Sequence, residues 1–130
     1  MPQGSTTFHE AEERLKPATR DMHRAIVSLM EELEAIDWYQ QRIDATEDAE
    51  LRDILAHNRD EEQEHAAMVL EWIRRRSPGF DTNLKMYLFT EGSIAAREDV
   101  REGGHEPAAN GTAAASVAPG TTIGSLRRTR

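Results

Sequence analysis

From about Ala11 to Ile43 the apolar positions recur every three or four residues. Leu15, Met22, Ile26, Leu29, Met30, Leu33 and Ile36 share one broad face of a predicted helix. Pro17 stands inside this span. It suits a first helical turn better than an interior, so it marks either the true start or a kink. Asp44-Ala45-Thr46-Glu47-Asp48 then offers turn and capping residues, with Thr46 or Asp44 as cap of the next helix. That second helix is predicted over about Glu47 to Arg76. Leu51, Leu55, Val69 and Ile73 form a narrow stripe along it, flanked by Ile54 and Trp72, and the stripe is expected to face a core. Arg74-Arg75-Arg76 suits its negative end, and Ser77-Pro78-Gly79 ends it. A third, short helix is expected over Asp81 to Thr90, with Asp81 as cap, Leu84, Tyr87 and Leu88 as its apolar side, and Glu91-Gly92 as its stop. Two helices of roughly 45 Å joined by so short a connection make an antiparallel hairpin.

The pattern fails at both ends. Residues 1–9 are polar and small, and are expected to be unstructured. The helical domain occupies 10–96. Residues 97–118 contain Gly-Gly, Pro, Asn-Gly and an alanine-rich run without hydrophobic period, which reads as a flexible linker. Residues 119–130 form a separate terminal peptide with two isolated aliphatics, Ile123 and Leu126, and a cluster of arginines. Two long helices and one short one cannot close a four-helix core, so an obligate oligomer whose smallest unit completes the bundle is expected.

Composition narrows the function. The chain of 130 residues has no cysteine and a formal net charge of −8. Thiolate metal sites and disulfides are therefore excluded, and any metal site must use carboxylates and histidines. The acidic body lacks the basic face that nucleic acid requires. No long apolar run suits a membrane, and Met-Pro-Gln-Gly-Ser-Thr-Thr does not look like a signal peptide, so the cytoplasm is the expected compartment.

The apolar stripe of the second helix holds three residues that need an explanation: Asn58, Glu62 and His65. A carboxylate and an imidazole three residues apart share one helix face and can hold one ion together. Burying an unpaired carboxylate costs several kcal/mol, so Glu62 must be paired or metal-bound. A buried ion pair is the competing account, and Arg24 on the first helix is its best counter-ion. Di-iron carboxylate bundles use two such Glu-x-x-His motifs, together with one further Glu from each of two other helices. Here there is one motif and one plausible extra ligand, Glu32, so a two-fold dimer would supply the full set. Val27, Glu31, Glu34 and Trp38 cluster away from the core stripe, either as a solvated face or as a cation site at a second interface. Oxygen ligands alone would suit calcium there. His57, Glu61 and Glu64 form another cluster, either an accessory metal site or a soluble flank. Tyr39 lies on the side of Glu32 and is placed to hydrogen-bond a ligand or to pack against a neighbouring subunit.

Three blocks in order resemble encapsulated ferritin: Arg24-Ala-Ile-Val-Ser-Leu-Met-Glu-Glu-Leu-Glu-Ala-Ile-Asp-Trp-Tyr39, Ile54-Leu-Ala-His-Asn-Arg-Asp-Glu-Glu-Gln-Glu-His-Ala-Ala-Met68 and Tyr87-Leu-Phe-Thr-Glu-Gly92. The tail Thr122-Ile123-Gly124-Ser125-Leu126-Arg127-Arg128 resembles the cargo-loading peptide of encapsulin shells. The resemblance implies an all-α fold, a hairpin that is half of a ferritin four-helix bundle, completed by dimerisation, with dimers assembled into a ring-shaped decamer. It implies a di-iron centre at the dimer interface, held by Glu32, Glu62 and His65 of each chain. It implies a ferroxidase that oxidises Fe(II) with oxygen and passes iron to the lumen of an encapsulin nanocompartment for mineral storage. It also places Glu31, Glu34 and Trp38 along the route by which metal arrives, Tyr39 near the iron, and His57, Glu61 and Glu64 in an accessory metal region. The alternative is a non-enzymatic, metal-binding helical cargo or scaffold protein.

Overall fold

The computed structural model describes residues 6–98. Residues 1–5, nearly all of the expected linker and the whole terminal peptide, including Thr122 to Arg128, lie outside the described residues. Within them the fold is all-helical, with no strand. A 3-10 turn at Glu12–Arg14 precedes α1 (Pro17–Ala45), α2 (Ala49–Arg76) and α3 (Pro78–Tyr87). The chain divides into two compact units between Leu84 and Lys85.

Pro17 is the true start of α1. The preceding Lys16 is extended (φ −68°, ψ 149°) and the proline ring supplies the first helical φ. The expected helical stretch from Ala11 is instead the 3-10 turn followed by extended Leu15. Arg20 ties this lead-in to α1 by donating to the carbonyls of Glu12 (3.2 Å) and Leu15 (3.1 Å). Further out, the Thr6 carbonyl lies 3.1 Å from His23 Nε2, and the Phe8 ring lies tilted by 54° against that imidazole, centroids 4.8 Å apart.

The cap of α2 is neither Thr46 nor Asp44 but Asp48, whose carboxylate accepts from the Leu51 amide at 2.8 Å. Thr46 shapes the turn instead: its hydroxyl accepts from the Asp48 amide (3.2 Å) and its carbonyl accepts from Arg52 (2.6 Å). Acceptors crowd this stretch, and the last one before the helix wins because only it lies over the first free N–H groups. The turn is therefore centred on Glu47.

At the far end, Ser77 closes α2 and opens α3. Its amide donates to the Ile73 carbonyl (3.0 Å) and its hydroxyl accepts from the Phe80 amide (3.2 Å). Pro78 takes the first helical position, so α3 starts three residues before the expected Asp81 cap. Asp81 instead joins an ionic network. Arg74 bonds both Asp81 and Glu71, and Arg75 bonds Glu71 at 2.7 Å. Hydrogen bonds from Arg74 and then Arg75 hold the Glu71 carboxyl down to about 2, and the Arg74 guanidinium is raised in turn. The helix α3 stops at Tyr87, ahead of the expected Glu91-Gly92. The Thr90 hydroxyl takes the Tyr87 carbonyl (2.7 Å), Arg97 takes that of Met86 (3.0 Å), and Phe89 turns into the left-handed region at φ 59°.

The long helices pack antiparallel along their length. Ala25, Leu29, Glu32, Ile36, Tyr39 and Ile43 on α1, spaced alternately four and three apart, are all half-buried. On α2 the matching seam is Leu55, Arg59, Glu62, Ala66, Val69 and Ile73. The expected core stripe of α2 is thus split. Leu55, Val69 and Ile73 turn toward α1, whereas Leu51 (44% exposed) and Ile54 (52%) do not. One neighbouring helix covers only part of the arc that the stripe spans. Among the described residues only Ala66 and Ile73 are buried, while Ile26, Met30, Leu33 and Met68 lie open.

Candidate metal centre

Reflection about Glu47 carries position 32 onto position 62, so the turn sets Glu32 level with Glu62 across the seam. Both are mid-helix, far from fraying ends, and both replace the aliphatic residue that the four-three spacing would otherwise hold. His65 follows Glu62 by one turn. Its Nδ1 lies 3.3 Å from Glu62 Oε2 and 3.9 Å from Glu32 Oε2. One ligand atom from each of the three lies within 4.8 Å of the others, and this is the one such acidic or histidine group of three or more among the described residues. The three side chains are thus gathered already within a single chain. A turn centred two residues earlier, on residue 45, would set Glu32 level with Asn58, about one turn from Glu62.

The electrostatics are those of two carboxylates sharing a site. Glu32 is raised above the ordinary carboxyl range, first by its hydrogen bond to Glu62, then by partial loss of hydration and by the neighbouring charge. Glu62 is lowered, first because it accepts from Glu32 and further by His65. The two shifts run in opposite directions, as they do for two carboxylates that share one site. Among the described residues no arginine is paired with it. Arg24, the proposed counter-ion, bonds Asp21 at 2.7 Å on the surface of α1. The ion-pair account is therefore replaced, among the described residues, by a cluster that pairs with neither Lys nor Arg. Two carboxylates and an imidazole, without thiolate, form a donor set that fits Fe(II) and other borderline divalent ions. The group is open on one side, with about half of the His65 side chain exposed.

The other sequence clusters are looser. Glu31 and Trp38 are exposed and Glu34 is half-buried. The Arg42 guanidinium sits 6.0 Å from the Trp38 ring and 5.5 Å from that of Tyr39, so the protein's own cation occupies this aromatic end of α1. His57 Nε2 lies 3.4 Å from Glu61 Oε1 on an open face. Glu64 turns instead toward a groove of about 450 Å³ that it shares with Met68, Glu71 and Trp72. Neither accessory cluster is gathered as the Glu32 group is, so neither offers a formed calcium site within one chain. Sequence reasoning missed Gln40, which accepts a 2.7 Å hydrogen bond from Arg59 across the hairpin.

Comparison with known proteins settles the family. The EncFtn-like family profile matches residues 7–91, and that span includes Glu32, Glu62 and His65. The chain belongs to the EncFtn-like family. The resemblance to encapsulated ferritin noted in its three sequence blocks therefore stands. This EncFtn-like chain is 61% identical over 98 residues to the encapsulated ferritin-like protein of Rhodospirillum rubrum, covering 75% of this chain and 70% of that one. It is 37% identical over 134 residues to the encapsulin nanocompartment cargo protein EncC of Myxococcus xanthus, covering 98% of this chain and all of that one. Protein ne0167 of Nitrosomonas europaea, known from a crystal structure, superposes with a TM-score of 0.66 at 64% identity, over 68% of this chain and 97% of that one. Among the described residues no helix is long and apolar enough to cross a membrane.

Proposed function

We propose that this EncFtn-like chain is a ferroxidase that works as the cargo of an encapsulin shell. The observation that carries the reading is the Glu32–Glu62–His65 group, three metal-ligating side chains within 4.8 Å of one another in the seam of a half-bundle. Fe(II) is the substrate. The carboxylates favour the higher charge of Fe(III) over that of Fe(II), so they stabilise the oxidised product, and dioxygen takes the electrons.

A single chain leaves its metal group open and its apolar positions uncovered. Two chains related by a two-fold axis would cover Leu51, Ile54, Met68 and Trp72 and set two ligand groups face to face. That arrangement makes a di-iron centre with six protein ligands, and dimers then close into a ring-shaped decamer. The linker and the Thr122–Arg128 peptide tether the assembly inside the shell, where the oxidised iron is stored as mineral. Two relatives named as encapsulated ferritin-like and as encapsulin cargo support this placement.

The test is oxygen consumption and Fe(III) absorbance on adding Fe(II) to the full chain. Glu32→Ala, Glu62→Ala and His65→Ala should each slow oxidation by roughly tenfold or more, since each removes one ligand of a site that acts as a unit. Wild-type rates in all three variants would sink the assignment. Metal uptake without oxygen consumption would favour the non-enzymatic cargo reading.

A further inference from the structure

We propose that Gln40 and Asp60 form a holding site for the Arg59 guanidinium, whose purpose is to keep the nearest cation off the metal carboxylates. The inference rests on the metal-site reading above. No Lys or Arg occurs between residues 25 and 41 of α1 or between 60 and 73 of α2. Arg59 is therefore the closest cation along either helix. It precedes Glu62 by three residues, a spacing that puts both on one face and within ion-pair reach. An arginine in that position would ordinarily bond the carboxylate bidentately and compete with any metal.

It is engaged elsewhere. Its Nη1 donates to Gln40 Oε1 at 2.7 Å across the hairpin, and its Nε and Nη2 donate to Asp60 Oδ1 at 2.9 and 2.7 Å. The adjacent-residue pairing with Asp60 is not one that helix geometry favours, because neighbours in sequence point about 100° apart. Gln40 is itself oriented for the task. Its Nε2 donates to Asp44 at 3.0 Å, which leaves the carbonyl oxygen as the end presented to Arg59. The Arg59 side chain is only 25% exposed, and its bond to Gln40 is partly buried. Gln40 and Asp60 are thus positioning residues. They touch no metal ligand, and they act through Arg59.

The test uses Zn(II), which does not change oxidation state, titrated calorimetrically into the full chain. Gln40→Leu with Asp60→Ala frees Arg59, which then pairs with Glu62, and Zn(II) affinity falls by roughly tenfold or more, the worth of one charge-assisted contact. Adding Arg59→Met to that double variant restores affinity to near the wild-type value, a rescue that a merely structural role would not produce. Gln40→Leu alone, the milder change, shifts affinity in the same direction. Unchanged affinity in the double variant, or no recovery with Arg59→Met, would overturn the proposal. Glu62→Ala separates the two levels. Wild-type Zn(II) binding in that variant would remove the metal site itself, whereas lost binding there with a silent double variant would remove only the holding role.

Discussion

Ile54→Ala tests the proposed pairing with a second copy of this chain. Cutting an isoleucine back to alanine is worth about 2.4 kcal/mol when the whole side chain is buried, at roughly 0.8 kcal/mol per carbon. In the single chain Ile54 is 52% exposed. About half of the effect, some 1.2 kcal/mol, is therefore left for a partner surface to supply. A two-fold interface counts the loss twice, about 2.4 kcal/mol in all, which is roughly a 60-fold weaker dimer. Ile73→Ala is the matched control. Ile73 is 2% exposed, so a partner has nothing left to cover. Its loss of about 2–5 kcal/mol, cavity included, should fall on the hairpin itself. Sedimentation equilibrium over a range of protomer concentrations gives the dimer constant, and urea unfolding gives the hairpin term. An unchanged association constant for Ile54→Ala would refute the pairing face, whatever happened at Ile73.

Two further outcomes follow from the ion-pair network and the tail. The Glu71 carboxyl titrates near 2 when folded, against an ordinary 4.5, so its contribution is fully present above about 4.5 and lost as pH falls through about 2. The thermal midpoint of Glu71→Gln should therefore lie below that of wild type at neutral pH and converge with it toward pH 2, and a constant gap across that window would remove Glu71 as the cause. Deleting residues 119–130 should abolish loading into an encapsulin shell while leaving Fe(II) oxidation intact, and the two are separated by co-purification with the shell and oxygen uptake.

The hairpin is legible in the sequence because two amphipathic periods meet at a run of turn residues, and that signal needs no tertiary context. Competition between equivalent groups is less legible. Asp44, Thr46 and Asp48 can each cap a helix, and only the placement of the first free amides selects Asp48. Ser77-Pro78 reads as a stop, yet it also starts the next helix, because the proline that cannot continue α2 is well suited to the first turn of α3. The apolar stripe of α2 reads as one surface, but a single neighbour covers an arc narrower than the stripe. Ile73 is therefore enclosed while Ile54 is not. Glu32 was recognisable as a candidate by its position at the edge of an apolar face. Its meeting with Glu62 in the same chain depends on where the turn is centred, and a displacement of two residues there moves the partner by a full turn. The holding of Arg59 had no sequence signature, since it links residues nineteen positions apart through an amide that carries no charge.

Glu32, Glu62 and His65 are encoded once, and in the proposed dimer they are used twice. A codon change at any of them alters two ligands together, so such a centre cannot be modified one ligand at a time by inheritance. The two iron positions of the proposed dimer would be chemical twins. Any difference between them has to arise during turnover, from the order in which the ions arrive. A ferritin-like chain that spells out both halves separately is free to diversify them. In the proposed dimer, each of these three positions would answer for both irons at once.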